Sequence, residues 1–304
     1  MRRWNTRRVL LVAGLAAALF TVPAAAQDAT RISAVATFSI LGDLVKNVGG
    51  DRVDVVTLVG PDGDAHVYSP TPGDARKLAA AKIVFVNGLG LEGWMTRLIE
   101  ASGTRSPIVT VTNGITARKM EDEGEPGRLV IDPHAWQSVA NAKIYVANIR
   151  DGFAAIDPAG KAIYDANAAA YLGKLDQLEK EVGATIAGIP ADRRKVITTH
   201  DSLGYFGDAF GVKFISPERV STDSEASARD VAKIIAQIRR EKIPAVFMEN
   251  ITDPRLMREI ARETGAATGG TLYSDALSAP GGPAATYIEM MRHNVRELIK
   301  ALVG

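Results

Sequence analysis

The stretch that most constrains the fold is "PAGKAIYDANAAAYLGKLDQLEKEVGATIAGIP", Pro158–Pro190, which holds no proline between its two ends. Proline breaks helices, so a long proline-free run can continue as one. Asp157 is a candidate cap, and Pro158 suits a first helical turn. Apolar residues recur at Ile163, Ala166, Ala170, Leu175, Leu178 and Val182, close to helical spacing. The spacing predicts one helix of about 28 residues, roughly 42 Å long at 1.5 Å per residue. Gly160, Gly173 and Gly183 weaken it locally. A rod of that length divides the chain into an N-terminal lobe (27–156), a linking helix (157–190) and a C-terminal lobe (191–304).

On either side of the rod, short β-rich runs alternate with helical stretches. The strand candidates are "ISAVAT", "VDVVTLV", "KIVFVN", "IVTV" and "RLVI" before it, and "KVITT", "VKFIS", "AVFME" and "GTLYS" after it. Most are bounded by Gly, Pro, Asp or Asn. "PGDARKLAAA", "SARDVAKIIAQIRREK" and "PAATYIEMMRHNVRELIKAL" read as helices. Strands alternating with helices argue for an α/β protein: two lobes, each a mainly parallel sheet with flanking helices.

The first 26 residues stand apart. A basic start, "MRRWNTRR", precedes the apolar run Val9–Val22 and then "PAAAQ", the pattern of a signal peptide cut after Ala26. The apolar run falls short of the roughly 18 residues a membrane span needs. The chain has no cysteine. Disulfides, thiolate metal ligands and attachment of a lipid through cysteine are thereby set aside. The expectation is a monomer free in the periplasm, without a lipid anchor. Thirty-six basic residues balance 35 acidic ones, and the leader takes Arg2, Arg3, Arg7 and Arg8 with it. A mildly acidic remainder has no electrostatic footprint for nucleic acid or an anionic membrane.

Three of the four histidines share one kind of position. His66 lies in "PDGDAHVYSPTP", beyond the strand at Val53–Val59. His134 lies in "IDPHAW", just past the run ending at Ile131, and His200 closes "KVITTH". Asp275, in "GGTLYSDALS", completes the pattern. Each stands at or just beyond the carboxyl end of a predicted strand, the rim where open parallel sheets bind ligands. Three imidazoles and one carboxylate make an N3O donor set that suits Zn²⁺. Drawn from both halves, these ligands would hold an ion between the lobes. His293 sits on a charged helix and is assigned nothing.

These motifs resemble the zinc/manganese-binding solute receptors of bacterial ABC importers, the cluster A-I type. The resemblance is carried by "DGDAHVYSPTPGD", "VNGLGLEGW", "IDPHAWQSVANA", "TTHDSLGYFGDAFG", "LYSDALS" and "GPAATYIEMMRHNV", in the family order over nearly the whole chain. It implies two lobes joined by one rigid helix, with the metal in the cleft between them. On it, His66, His134, His200 and Asp275 fall on the four metal-ligand positions. It also implies an inner-membrane permease as partner, with a periplasmic metallochaperone as a further candidate. Members with Glu at the third position are associated mostly with manganese, so His200 favours Zn²⁺ over Mn²⁺ or Fe²⁺. The histidine-rich acidic loop of many zinc members is here only "ARKMEDEGEPGRL", with no histidine.

Other features carry less. "GLGLEG", Gly88–Gly93, is a literal G-x-G-x-x-G. It does not follow the first strand, and no acid closes the next one, so it reads as a tight turn and not a dinucleotide site. Trp94, Trp136 and Tyr68 stand near the cleft, with core packing the default. Asp64, Asp132 and Asp201 are candidates to support ligand imidazoles, and Glu249 ends a strand at the same rim. A zinc hydrolase is the competing function. A fourth protein ligand closes the position that catalytic zinc keeps open, and no H-E-x-x-H or G-x-S-x-G motif is present. The reading is a receptor and not an enzyme. Proton competition for the imidazoles predicts affinity that falls as pH drops through about 6.5.

Overall fold

The computed structural model describes residues 1, 31–121, 127–218, 220–223 and 226–303. The leader, Met1 apart, and most of the acidic loop 121–127 lie outside the described residues. Two parallel four-stranded sheets frame the rest. In the first, β1 (Ile32–Phe38), β2 (Val53–Val59), β3 (Ile83–Val86) and β4 (Ile108–Thr110) are ordered β2-β1-β3-β4. A small antiparallel pair follows, β5 (Lys119–Glu121) with β6 (Leu129–Ile131). In the second main sheet, β7 (Lys195–Ile197), β8 (Lys213–Ile215), β9 (Ala245–Glu249) and β10 (Ala267–Leu272) are ordered β10-β9-β7-β8.

Helices α1 (Ser39–Gly49), α2 (Pro72–Ala80), α3 (Met95–Ser102) and α4 (Val139–Ile156) belong to the first half. The second half has α6 (Gly204–Phe210), α7 (Ala228–Glu241), α8 (Arg255–Thr264) and α9 (Tyr287–Val303). Between them runs α5, Lys161–Ala187, 27 residues long and entered through a short 3-10 turn at Pro158–Gly160. Its buried residues Tyr164, Ala168, Tyr171, Leu175, Leu178, Val182 and Ile186 recur every three or four positions. That single apolar stripe sets the helix into the core. Asp157 does not cap the turn with its side chain. Its carboxylate instead accepts from Arg52 at 2.6 Å and from the Tyr164 hydroxyl at 2.7 Å.

Two details depart from the sequence expectation. "RLVI" is one arm of the antiparallel β5–β6 pair and not a member of the parallel sheet. Helix α4 has no strong sequence signature, yet it buries Tyr145, Val146, Ile149 and Phe153 in the core and meets α5 where Phe153 stacks on Tyr164. One core runs from β1 through α4 and α5 to α9, and a smaller cluster lies around α7 and α8. Phe153 sits in the middle, its ring 5.0 Å from Phe85 and 5.1 Å from Tyr164. Phe153→Ala should lower the unfolding free energy by about 3–5 kcal/mol, the usual cost of deleting a buried phenyl. Urea unfolding of the metal-free protein reads it, and a loss under about 1 kcal/mol would contradict this packing.

Candidate metal centre

Each donor side chain stands in a segment that leaves a strand. His66 follows β2. Its backbone N–H donates to Asp64 Oδ1 at 2.8 Å, and the Trp94 indole donates to Ala65 O at 2.8 Å. Asp64 Oδ2 accepts from the Thr222 hydroxyl at 2.5 Å, so this loop is tied to the second half of the chain. His134 follows β6. Asp132 Oδ1 accepts its backbone N–H at 3.0 Å and its Nδ1–H at 2.8 Å. Asn87 donates to Pro133 O at 2.9 Å and in turn accepts from the Tyr145 hydroxyl.

His200 follows β7, and Asp275 follows β10. The two residues after Ala135 clamp the Asp275 segment: the Trp136 indole and the Gln137 amide donate to Ser274 O at 2.9 and 2.7 Å. Trp94 and Trp136 are both buried core residues, as the default reading has it. Their polar edges also hold two of the donor segments in place. The Tyr68 hydroxyl donates to Asp74 at 2.9 Å, the residue that completes the capping box with Thr71 at the start of α2.

The four side chains converge. His66 Nε2 lies 3.1 Å from His134 Nε2 and 3.1 Å from Asp275 Oδ2. Asp275 Oδ2 is also 3.4 Å from His134 Nε2 and 3.2 Å from His200 Nε2. All four donor atoms lie within 4.8 Å of one another. Donors at the 2.0–2.1 Å of zinc–nitrogen bonds form a tetrahedron with edges of about 3.3–3.4 Å. His134, His200 and Asp275 are fully buried, and the side chain of His66 is 4% exposed. His66 borders a cavity of about 670 Å³ lined also by Leu89, Ile131, Asp201 and Glu218.

Buried charge around the cluster is negative. Asp275, Asp132 and Glu249 are all inaccessible, and Arg118 pairs with Asp132 at 3.1 Å. Two uncompensated carboxylates call for a dication or for two protons. In the ion-free protein the imidazoles of His134 and His200 favour the protonated form. Burial opposes charge on His134, but Asp275 and Asp132 outweigh it and raise its pKa to about 9. Burial likewise opposes charge on His200, and Glu249 and Asp275 push it well above the usual value. Burial would raise Asp275, yet His134 and His200 hold it well below the ordinary carboxylate range.

Of the other acids, Asp132 contacts the imidazole of His134 directly, while Asp64 bonds the backbone of His66 and not its ring. Asp201 lines the cavity. Glu249 touches His200. The glycine turn at Gly88–Gly93 is closed by Glu92, whose carboxylate accepts the N–H groups of Asn87 and Gly88 and the Thr37 hydroxyl. Those backbone donors are the ones a phosphate would need.

Residues 34–301 match the model of the family described as zinc-uptake complex component A, periplasmic. The chain belongs to that family. Manganese-binding lipoprotein MntA of Halalkalibacterium halodurans is 33% identical over 276 residues, covering 91% of this chain and 90% of that one. Iron-binding protein YfeA of Yersinia pestis is 33% identical over 299 residues, 94% and 95% of the two chains. The solved structure of periplasmic zinc-binding protein TroA from Treponema pallidum superposes with a TM-score of 0.83 at 30% identity, over 90% of this chain and 99% of that one. This member of the ZnuA family is thus a metal-binding receptor of an ABC importer, and not an enzyme.

The relatives also correct one expectation. MntA and several streptococcal relatives are named lipoproteins. The expectation of a free periplasmic protein without a lipid anchor therefore does not stand. A cysteine count speaks only to attachment through a thiol, which is too narrow a basis for it.

The pH window shifts as well. Since the folded pKa of His134 is raised above an unfolded value of about 6.5, its protonation stabilises the metal-free fold fully below that value. That stability is lost as pH rises through about 9. The melting temperature of the metal-free protein should therefore fall between pH 6.5 and 9, and metal affinity should keep rising over the same range. Calorimetry and metal titration across that window check both. A melting temperature that climbs with pH would contradict the assignment, as would an affinity that levels off near 6.5.

Proposed function

We propose that this receptor captures Zn²⁺ with His66, His134, His200 and Asp275 and passes it to the permease of its importer. The observation that carries the reading is the convergence of three imidazole nitrogens on one buried carboxylate oxygen at 3.1–3.4 Å. Those separations suit a small ion with bonds near 2.0 Å, and a nitrogen-rich set suits zinc. A fourth protein ligand leaves no position for a reacting water, which accords with carriage and not catalysis. The donors come from the proposed lobes 27–156 and 191–304, so the ion bridges them. Supply of the ion by a metallochaperone would require a docking surface beside the cavity at His66.

Manganese is the second reading, and one observation favours it. Asp275 Oδ1 is buried with no hydrogen-bond partner among the described residues. Turned onto the ion as a second oxygen, it would give five donors, a set kinder to Mn²⁺ than a tetrahedron. The relative MntA is named manganese-binding.

Competitive titration of chelator-stripped protein with Zn²⁺ and Mn²⁺ decides between them. One equivalent of zinc should bind and displace manganese at equal concentration. Equal or tighter manganese binding overturns the zinc reading. Zinc at about 1,000 times its Kd should stabilise the fold by about 4 kcal/mol, a rise in Tm of roughly 10 °C for a chain of this size. His200→Ala and Asp275→Ala should each weaken zinc by more than about 100-fold, beyond the 10–100-fold typical of losing a supporting partner. Unchanged affinity in Asp275→Ala would remove Asp275 from the donor set.

A further inference from the structure

The loop that carries His66 is held from the other half of the chain. It runs from Gly60 to Thr71, between β2 and α2, without helix or strand. Asp62 stands in it at φ 55°, a left-handed conformation that aspartate adopts more readily than most residues. Its backbone N–H donates to Leu277 O at 2.9 Å, and its Oδ1 accepts from the Asn250 amide at 3.0 Å. Two residues on, Asp64 Oδ2 accepts from the Thr222 hydroxyl at 2.5 Å while Oδ1 accepts the His66 N–H at 2.8 Å. Asn250 does more than reach Asp62. It follows β9, its Oδ1 accepts the Ser274 N–H at 3.4 Å, and its Nδ2 also donates to Ala276 O at 3.3 Å. One carboxamide thus grips both neighbours of Asp275 and the His66 loop at once. The side chains those segments carry, His66 and Asp275, meet at 3.1 Å. His134, His200 and Asp275 are sealed, and of the four His66 alone borders the cavity. An ion passing through that cavity has to pass His66, so the His66 loop has to yield.

We propose that Asn250 and Thr222 are positioning residues that latch the His66 loop to the C-terminal half and set the rate at which the ion enters and leaves. The inference rests on the reading of His66 as a ligand. Swinging the loop outward breaks the bonds that Asn250 and Thr222 make to Asp62 and Asp64. Hydrogen bonds to a carboxylate are stronger than neutral ones, so both resist that movement. Asp64 is half-buried and Asp62 is exposed, so water and salt weaken the Thr222 bond less than the Asn250 bond. A loop that must open for passage gates both directions. Weakening the latch therefore speeds capture and release together. The four donors themselves are untouched, so the affinity changes far less than either rate.

The test uses the full chain with Zn²⁺ as the probe. Release is timed by a chase into excess chelator. Capture is followed by tryptophan fluorescence, since the Trp136 ring lies 5.3 Å from that of His134. Thr222→Val keeps the side-chain shape and loses the hydroxyl, and it should speed both rates by about tenfold, the worth of one hydrogen bond to a carboxylate. Asp62→Gly keeps the positive φ without strain and loses the acceptor of Asn250. It should speed both rates by about fivefold, with Kd in either variant within about threefold of the parent. Asn250→Ala should speed release at least as much as Asp62→Gly, and combining the two should add nothing to Asn250→Ala alone. Thr222→Ser, which keeps the hydroxyl, should retain the parent's rates. Parent-like release in either Thr222→Val or Asp62→Gly overturns the inference. So does faster release with capture unchanged or slowed, which marks a damaged site and not a gate. Should Asn250→Ala not fold, Asp62→Gly tests the same bond. Parent-like zinc affinity and release in His66→Ala removes instead the ligand reading on which the inference rests.

Discussion

Asp275 Oδ2 has three imidazole nitrogens within 3.4 Å, in a place where its own side chain and two of those rings have no exposure at all. An isolated buried carboxylate is costly, and a ring of uncharged imidazoles does not relieve it. The centre is therefore built to hold positive charge, as protons or as a dication, and much of the surrounding structure serves that end. The indoles of Trp94 and Trp136, the Gln137 amide and the Asp132 carboxylate each fix a donor-bearing segment. Arg118 offsets Asp132 and reaches Asp208 on α6, so one guanidinium ties the His134 segment to the second half of the chain. A Cβ at Gly204 would fall 2.4 Å from the Arg118 guanidinium, so a side chain there would displace that arginine.

The same contacts bear on motion. The core is continuous across both main sheets through α4, α5 and α9. The tail segment adds polar ties, with Leu277 N donating to Ser39 Oγ at 2.9 Å and Tyr287 N to Asp43 Oδ2 at 2.9 Å. A 27-residue rod packed along this core leaves little freedom for a wide hinge. Release of the ion then requires local rearrangement of donor loops, with the His66 loop the natural place because His66 alone borders the cavity.

Much of this was legible in the sequence, for identifiable reasons. The rod is written as an unbroken helical period without proline. The four candidate donors are written as chemistry placed just past β-rich runs; parallel rims carry His66, His200 and Asp275, while His134 arrives from the antiparallel β6. What escaped was long-range or locally ambiguous. Helix α4, "VANAKIYVANIRDGFAAI", is rich in alanine and wraps apolar residues around more than one face, so periodicity marks it weakly. The β6 run is too short to separate an antiparallel arm from a member of the main sheet. Glu249 stood out only as an acid at a strand end. Its 49-residue separation from His200 leaves no local trace, and only the register of β7 on β9 brings the two together.

The central claim is that one dication is shared by three imidazoles and one carboxylate. X-ray absorption at the zinc edge of the loaded full chain tests it most directly. The account predicts one zinc per chain, three imidazole nitrogens resolved by their outer-shell scattering, and oxygen completing a shell at about 2.0–2.1 Å. A shell of oxygen neighbours with one imidazole or none, or a loaded chain without stoichiometric metal, would contradict it.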